Sequence, residues 1–126
     1  MSKSGFLLAL ATLAAVPSAA NAHAALVTSS PAANATIART NSIRLTFNEK
    51  VVARFSGAEL MMTGMPGMAK HAPMQMKGLK LAWSSDGKTL TLTNPKPLPA
   101  GNYTVNWHAA GADTHRRNGS FSFSVK

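Results

Sequence analysis

Short stretches in which apolar and polar residues alternate, each closed by turn formers, run along most of this chain and commit it to β-sheet. Ser42-Ile43-Arg44-Leu45-Thr46-Phe47 sends Ile43, Leu45 and Phe47 to one face, because successive side chains of a strand point to opposite sides. The same period appears in residues 25–30, 58–62, 79–83, 89–93, 102–107 and 120–125, the last placing Phe121, Phe123 and Val125 together. Ser84-Ser85-Asp86-Gly87-Lys88 reads as a hairpin loop, and the Pro-rich stretch 95–101 as a turn. No segment keeps a helical period. About seven short strands in one domain predict an all-β fold, an antiparallel β-sandwich or a small Greek-key β-barrel of immunoglobulin-like or cupredoxin-like kind.

Residues 1–22 stand apart from this pattern. Lys3 supplies a positive start, an apolar run covers 6–16, and Pro17 breaks it. Ala20 and Ala22 then occupy the small-residue positions of an A-x-A cleavage site. The run is too short to span a bilayer. The expectation is a signal peptide at 1–22, cut after Ala22, and an exported domain at 23–126 that does not span the membrane. The cut would leave His23 as the amino terminus. Its α-amine and imidazole Nδ1 could then close a six-membered chelate on a metal ion, and two strong nitrogen donors suit Cu(II). The plain alternative is a frayed terminal residue.

The chain has no cysteine, so burial alone must hold the exported fold, and any soft-metal site must use thioethers and imidazoles. Its formal charge of +9 includes the Lys3 of the leader. The cations are dispersed, with only Arg116 and Arg117 adjacent, and none of them form a run interleaved with aromatics. That pattern reads as a solvated basic surface, with nucleic acid not expected as a partner.

Six of the seven methionines fall between residues 61 and 76. Met62, Met65, Met68, His71 and Met74 recur every third residue, but Gly64, Pro66, Gly67 and Pro73 sit where a helix tolerates them least. The segment is expected to be an exposed loop. Thioethers gain little there and are open to oxidation. Together with imidazole they form a soft donor set that selects Cu(I). The competing explanation is an adaptable, adhesive Met surface for apolar partners. Met61 and Met76 read as packing residues.

Asp113-Thr114-His115 falls between the last two expected strands. Joined with His23, it would supply imidazoles, an amine and a carboxylate, a nitrogen–oxygen set for Cu(II). Asp113 alone could equally be an Asx-turn former. His108 reads as a structural strand histidine, and Trp107 as a core residue near the Asp-x-His loop.

Across 23–126 the chain resembles the CopC/PcoC family of periplasmic copper-resistance proteins. The likeness is carried by His23, Leu45-Thr46-Phe47-Asn48-Glu49, Phe55-Ser56-Gly57-Ala58, Met62-Thr63-Gly64-Met65-Pro66-Gly67-Met68 and His71-Ala72-Pro73-Met74. It continues through residues 98–107, Asp113-Thr114-His115 and Gly119-Ser120. The resemblance implies a small β-barrel or sandwich with a Cu(II) site at His23, Asp113 and His115. At the far end it implies a Cu(I) site at Met62, Met65, Met68, His71 and Met74, and it leaves Glu49 outside the Cu(II) ligands. The chain departs from the family pattern in three places: the extra residue in Ala69-Lys70, Arg116-Arg117-Asn118 where relatives carry Pro-Ile-Thr, and Ala24 where relatives often carry proline.

Residues and resemblance together predict a periplasmic copper carrier or sequestering protein of copper resistance and homeostasis, with binding and not turnover as its activity. The partner expected is an inner-membrane copper transporter of the CopD type or another copper-resistance protein. The alternative is an oxidative copper enzyme built on an N-terminal histidine chelate, like the polysaccharide monooxygenases. That alternative needs an open coordination position and exposed aromatics, whereas Phe47, Phe121 and Phe123 are patterned as core.

Overall fold

The computed structural model describes residues 23–68 and 72–126. The expected signal peptide at 1–22 and the candidate ligand His71 lie outside the described residues. In chain order the strands are β1 (Leu26–Ser30), β2 (Thr36–Ile37), β3 (Ser42–Phe47), β4 (Gly57–Gly64), β5 (Met74–Gln75), β6 (Lys80–Trp83), β7 (Thr89–Thr93), β8 (Gly101–Ala110) and β9 (Arg116–Val125). A single 3-10 turn, Ala53–Phe55, precedes β4. None of the described residues forms a helix long and apolar enough to cross a membrane.

Two sheets face one another. One has the order β1-β3-β7-β6 and is antiparallel throughout. The other has the order β2-β9-β8-β4-β5, antiparallel except where β2 runs parallel to β9. Among the described residues no strand pairs from one sheet to the other, so the molecule is a β-sandwich and the barrel form is not realised.

The alternation read from the sequence decides what lies between the sheets. Ile43, Leu45 and Phe47 meet Leu90 and Leu92 in the first sheet and Leu60, Tyr103, Val105, Phe121, Phe123 and Val125 from the second, all of them buried. Full burial of one such aliphatic side chain contributes roughly 1.5–3 kcal/mol. Tyr103 stacks on Phe123 with centroids 5.4 Å apart, and Phe47 meets Trp107 edge-on at 5.5 Å. The Tyr103 hydroxyl donates to the carbonyl of Pro99, a tyrosine corner of the kind β-sandwiches use, and burial pushes its phenol pKa up. Trp107 lies across the sheet from Gly119, where an added Cβ would come within 2.3 Å of the indole ring. Only glycine fits under that ring.

Strand direction then sorts the chemistry. Leu26 of β1 pairs with Phe47 at the end of β3, and Gly57 at the start of β4 pairs with His108 near the end of β8. Residue 23, the 48–56 connection, the 84–88 loop and the 111–115 loop therefore share one end, the histidine end. Gly64 pairs with Asn102, and Gly101 with Val125, so the 31–41 connection, the turn after β4 and the 94–100 loop lie at the other, the methionine end.

One expectation is corrected here. The methionine segment is not a loop from its start, because β4 continues to Gly64 and Met62 is buried at 6 % exposure. The period of two read over residues 58–62 carries on to Gly64 and buries Met62 with Leu60, so the turn begins only at Met65. Met74 likewise lies in a strand, β5, with its Cα opposite that of Met62. Met76, expected to pack, does so: it is partly buried against the core.

Candidate metal centre

At the histidine end, β1 and the β8–β9 hairpin bring together residues ninety positions apart. His23 precedes β1, and Ala24 behind it is fully buried. Asn48, just past β3, fixes this segment from both sides. Its Oδ1 accepts from the Ala25 N–H at 2.8 Å, its own N–H donates to the Ala25 carbonyl at 3.0 Å, and its Nδ2 donates to the His23 carbonyl at 3.4 Å.

The opposite wall is the 111–115 loop. Thr114 has φ of +63°, a left-handed conformation that a β-branched residue adopts at a cost of order 1–3 kcal/mol. Hydrogen bonds hold it there: the Thr114 N–H donates to the Gly111 carbonyl at 2.9 Å, and its hydroxyl donates to the Asp113 carbonyl at 2.6 Å. Asp113 Oδ1 accepts the His115 N–H at 3.1 Å, which is an Asx turn. The turn and the ligand readings of Asp113 are thus compatible, since Oδ2 remains for the histidines.

That Oδ2 lies 3.1 Å from His115 Nδ1 and 3.7 Å from His23 Nδ1. The two imidazole centroids are 5.4 Å apart. One donor atom from each of His23, Asp113 and His115 falls within 4.8 Å of the others, and among the described residues no other histidine–carboxylate cluster of three or more does so. His23 Nδ1 is buried and has no hydrogen-bond partner among the described residues. A buried polar atom left unpaired is costly, and here it points toward a carboxylate and a second imidazole. The donor set therefore fits a cation that takes nitrogen and oxygen ligands. Glu49 lies at this end but outside the cluster.

Met62, Met65, Met68 and Met74 lie toward the other end as two pairs, Met62 opposite Met74 and Met65 opposite Met68, divided by burial. Met62 faces the core, with its Cε close to Gly101. Met65, Met68 and Met74 are exposed at 38, 52 and 51 %. Met65-Pro66-Gly67-Met68 is a closed turn in which Met65 and Met68 exchange both backbone hydrogen bonds at 2.9 Å. Proline second and a glycine of φ +81° third is the type II pattern. The turn overhangs a recess of about 440 Å³ floored by Gly101, Asn102 and Val125.

His108 points outward from β8 beside Gly57 and is not part of either cluster. Burial and the Arg116 guanidinium hold its pKa below the ordinary imidazole value, with Glu59 opposing them. Asn48 and Thr114 were not singled out from sequence. An asparagine gripping a distant backbone and a threonine in a left-handed turn leave no periodic trace.

A two-sheet sandwich with a histidine–carboxylate cluster at one end and a methionine turn at the other defines the class of protein. The CopC domain matches residues 26–126, and the chain belongs to the CopC family. It is similar to copper resistance protein C of Xanthomonas campestris pv. juglandis, 50 % identical over 83 % of this chain and 81 % of that one. It is 41 % identical to copper resistance protein C of Pseudomonas syringae pv. tomato over 100 % of this chain and 98 % of the relative. Among solved structures it is similar to PcoC, a methionine-rich copper resistance protein from Escherichia coli, with a TM-score of 0.74. That match has 40 % identity and covers 82 % of this chain and 99 % of PcoC.

Proposed function

We propose that this protein is an exported copper-binding protein that carries or sequesters copper in the periplasm during copper resistance. Copper is its cargo, and binding is its activity. Membership of a family whose relatives are named copper resistance proteins supports copper as the metal. The observation that carries the reading is the His23–Asp113–His115 cluster, in which the buried His23 Nδ1 makes no hydrogen bond.

In this proposal a cut after Ala22 frees the His23 amine, which joins Nδ1, Asp113 and His115 as the Cu(II) ligands. Met65, Met68, Met74 and His71, with Met62 behind them, serve Cu(I). Soft neutral sulfur matches the softer ion, and nitrogen with carboxylate oxygen matches the harder one. Exposed ligands on a closed turn suit transfer by stepwise ligand exchange, with a membrane copper transporter of the CopD type or another copper-resistance protein as the partner. Turnover is disfavoured on physical grounds. Among the described residues Phe47, Trp83, Tyr103, Trp107, Phe121 and Phe123 pack in or against the core and Phe55 is the one exposed aromatic ring, which makes no broad face for a polymer, and Asp113 takes up a coordination position.

The test is copper stoichiometry of the exported protein, measured separately under oxidising and reducing conditions. One Cu(II) lost with His115→Ala and one Cu(I) lost with Met65→Leu/Met68→Leu are expected. Copper binding that survives both changes would overturn the assignment.

A further inference from the structure

The chain's charges are not evenly placed along the sandwich. All four side-chain carboxylates lie toward the histidine end. Glu49, Asp86 and Asp113 are in its connections, and Glu59, early in β4, is level with Asn106 of β8 and accepts from its Nδ2. The methionine end has cations and no side-chain carboxylate, whereas at the histidine end Lys50, Arg54, Lys88, Arg116 and Arg117 stand among the acids. Lys126 follows Val125 of the recess floor, and its N–H donates to Ile37. Lys96 stands in the loop leading to Gly101, and Arg39 precedes Thr40, whose carbonyl accepts from Leu98. Lys80 opens β6 opposite Thr93 at the same end.

The exposed side chains at this end include five apolar ones, Met65, Pro66, Met68, Pro95 and Pro97, beside the polar Asn41 and Asn102. The turn that carries the two methionines satisfies the N–H and carbonyl groups of Met65 and Met68 through their reciprocal bonds. It can therefore leave water without stranding those polar groups. A set of cations with no side-chain carboxylate among them, beside an apolar turn whose closing hydrogen bonds are internal, is what an anionic lipid surface attracts.

We propose that the methionine end docks on anionic lipid, with the 65–68 turn entering the headgroup layer and Lys96 and Lys126 against the lipid charges. The histidine end then faces away with every side-chain carboxylate, outside the range over which an anionic surface would repel them. This proposal rests on the copper reading for its purpose, which is to hold the thioether donors where a membrane transporter could receive the ion. It rests on charge placement for its substance. An acidic protein is the competing occupant, but the turn is short, apolar and closed on itself, which suits entry into a soft layer more than mating with a second folded surface.

The test uses metal-free exported protein whose leader is shown by mass to be absent, so its failure is separate from any failure of copper binding. Co-flotation is measured with phosphatidylcholine vesicles and with vesicles in which a third of the lipid is phosphatidylglycerol. Binding to the anionic vesicles alone, lost on raising salt, is expected. Lys96→Glu/Lys126→Glu should lower the bound fraction roughly tenfold, and Met65→Gln/Met68→Gln should lower it at unchanged charge. The equally charge-reversed pair at the other end, Lys50→Glu/Arg54→Glu, should leave binding near that of the parent, with thermal melts confirming that each variant folds. No flotation with anionic vesicles would overturn the proposal in favour of a protein partner. An equal loss from both charge pairs would overturn it in favour of non-specific attraction by net charge.

Discussion

Asn48 and Ala25 are joined twice: the Ala25 N–H donates to Asn48 Oδ1 at 2.8 Å, and the Asn48 N–H donates to the Ala25 carbonyl at 3.0 Å. The pair makes the end of β3 a template for the chain just after His23. Without it, the segment from His23 to Ala25 would be free to fray, and an imidazole on a frayed segment cannot hold a position beside Asp113.

Asn48→Ala should therefore separate metal binding from folding. Losing the side-chain acceptor costs about 1 kcal/mol, readable by urea denaturation. Cu(II) affinity should fall by roughly tenfold or more, because the same free energy now has to order His23 as well. Cu(I) affinity should not change. Asn48→Asp keeps the acceptor for Ala25 and should fall between the two. Equal Cu(II) affinity in Asn48→Ala and the parent would mean the clamp does not position His23.

The methionines should divide by burial and not by their spacing. Met62→Ala removes a core side chain and is expected to cost about 2–5 kcal/mol. Met65→Leu and Met68→Leu change exposed positions and should stay within about 0.5 kcal/mol of the parent. Urea denaturation of the three variants is the check. A large loss from Met65→Leu would mean that the 65–68 turn packs as core.

The sheet pattern was legible because burial acts residue by residue at a period the sequence repeats. Ser42–Phe47 and Thr89–Thr93 lie where the alternation puts them. Strands β8 and β9 run longer than their alternating cores, to Ala110 and from Arg116. Out there the hairpin is held by backbone pairing, and small or charged residues give no apolar signal. Strands β2 and β5, of two residues each, are edge additions fixed by tertiary contact. The approach of His23 to Asp113 and His115 was expected from donor chemistry and family likeness. The strained Thr114 and the Asn48 clamp that produce it depend on dihedral angles and on a contact across twenty-five positions.

Processing should matter to one end only. Retaining a single glycine ahead of His23 turns the α-amine into an amide, a poor donor unless deprotonated. Cu(II) affinity should drop by orders of magnitude while Cu(I) affinity and the melting temperature hold. Isothermal titration with each oxidation state distinguishes the outcomes. Unchanged Cu(II) affinity would remove the amine from the ligand set.

His108 gives the fold itself a pH dependence separable from any metal. Burial on β8, reinforced by Arg116 and opposed by Glu59, lowers its folded-state pKa. The unfolded chain titrates this imidazole near ~6.5. Between that value and the lowered one the unfolded state binds more protons, so stability is fully present above the unfolded pKa and falls as pH drops through the window. His108→Gln removes the titrating group and should flatten the dependence on pH below about 6.5, while leaving stability at higher pH close to the parent's. The comparison must be made without copper, because a bound metal adds a pH dependence of its own. Urea midpoints for parent and variant across this range provide the measurement. Parallel curves for the two proteins would assign the acid sensitivity to other groups.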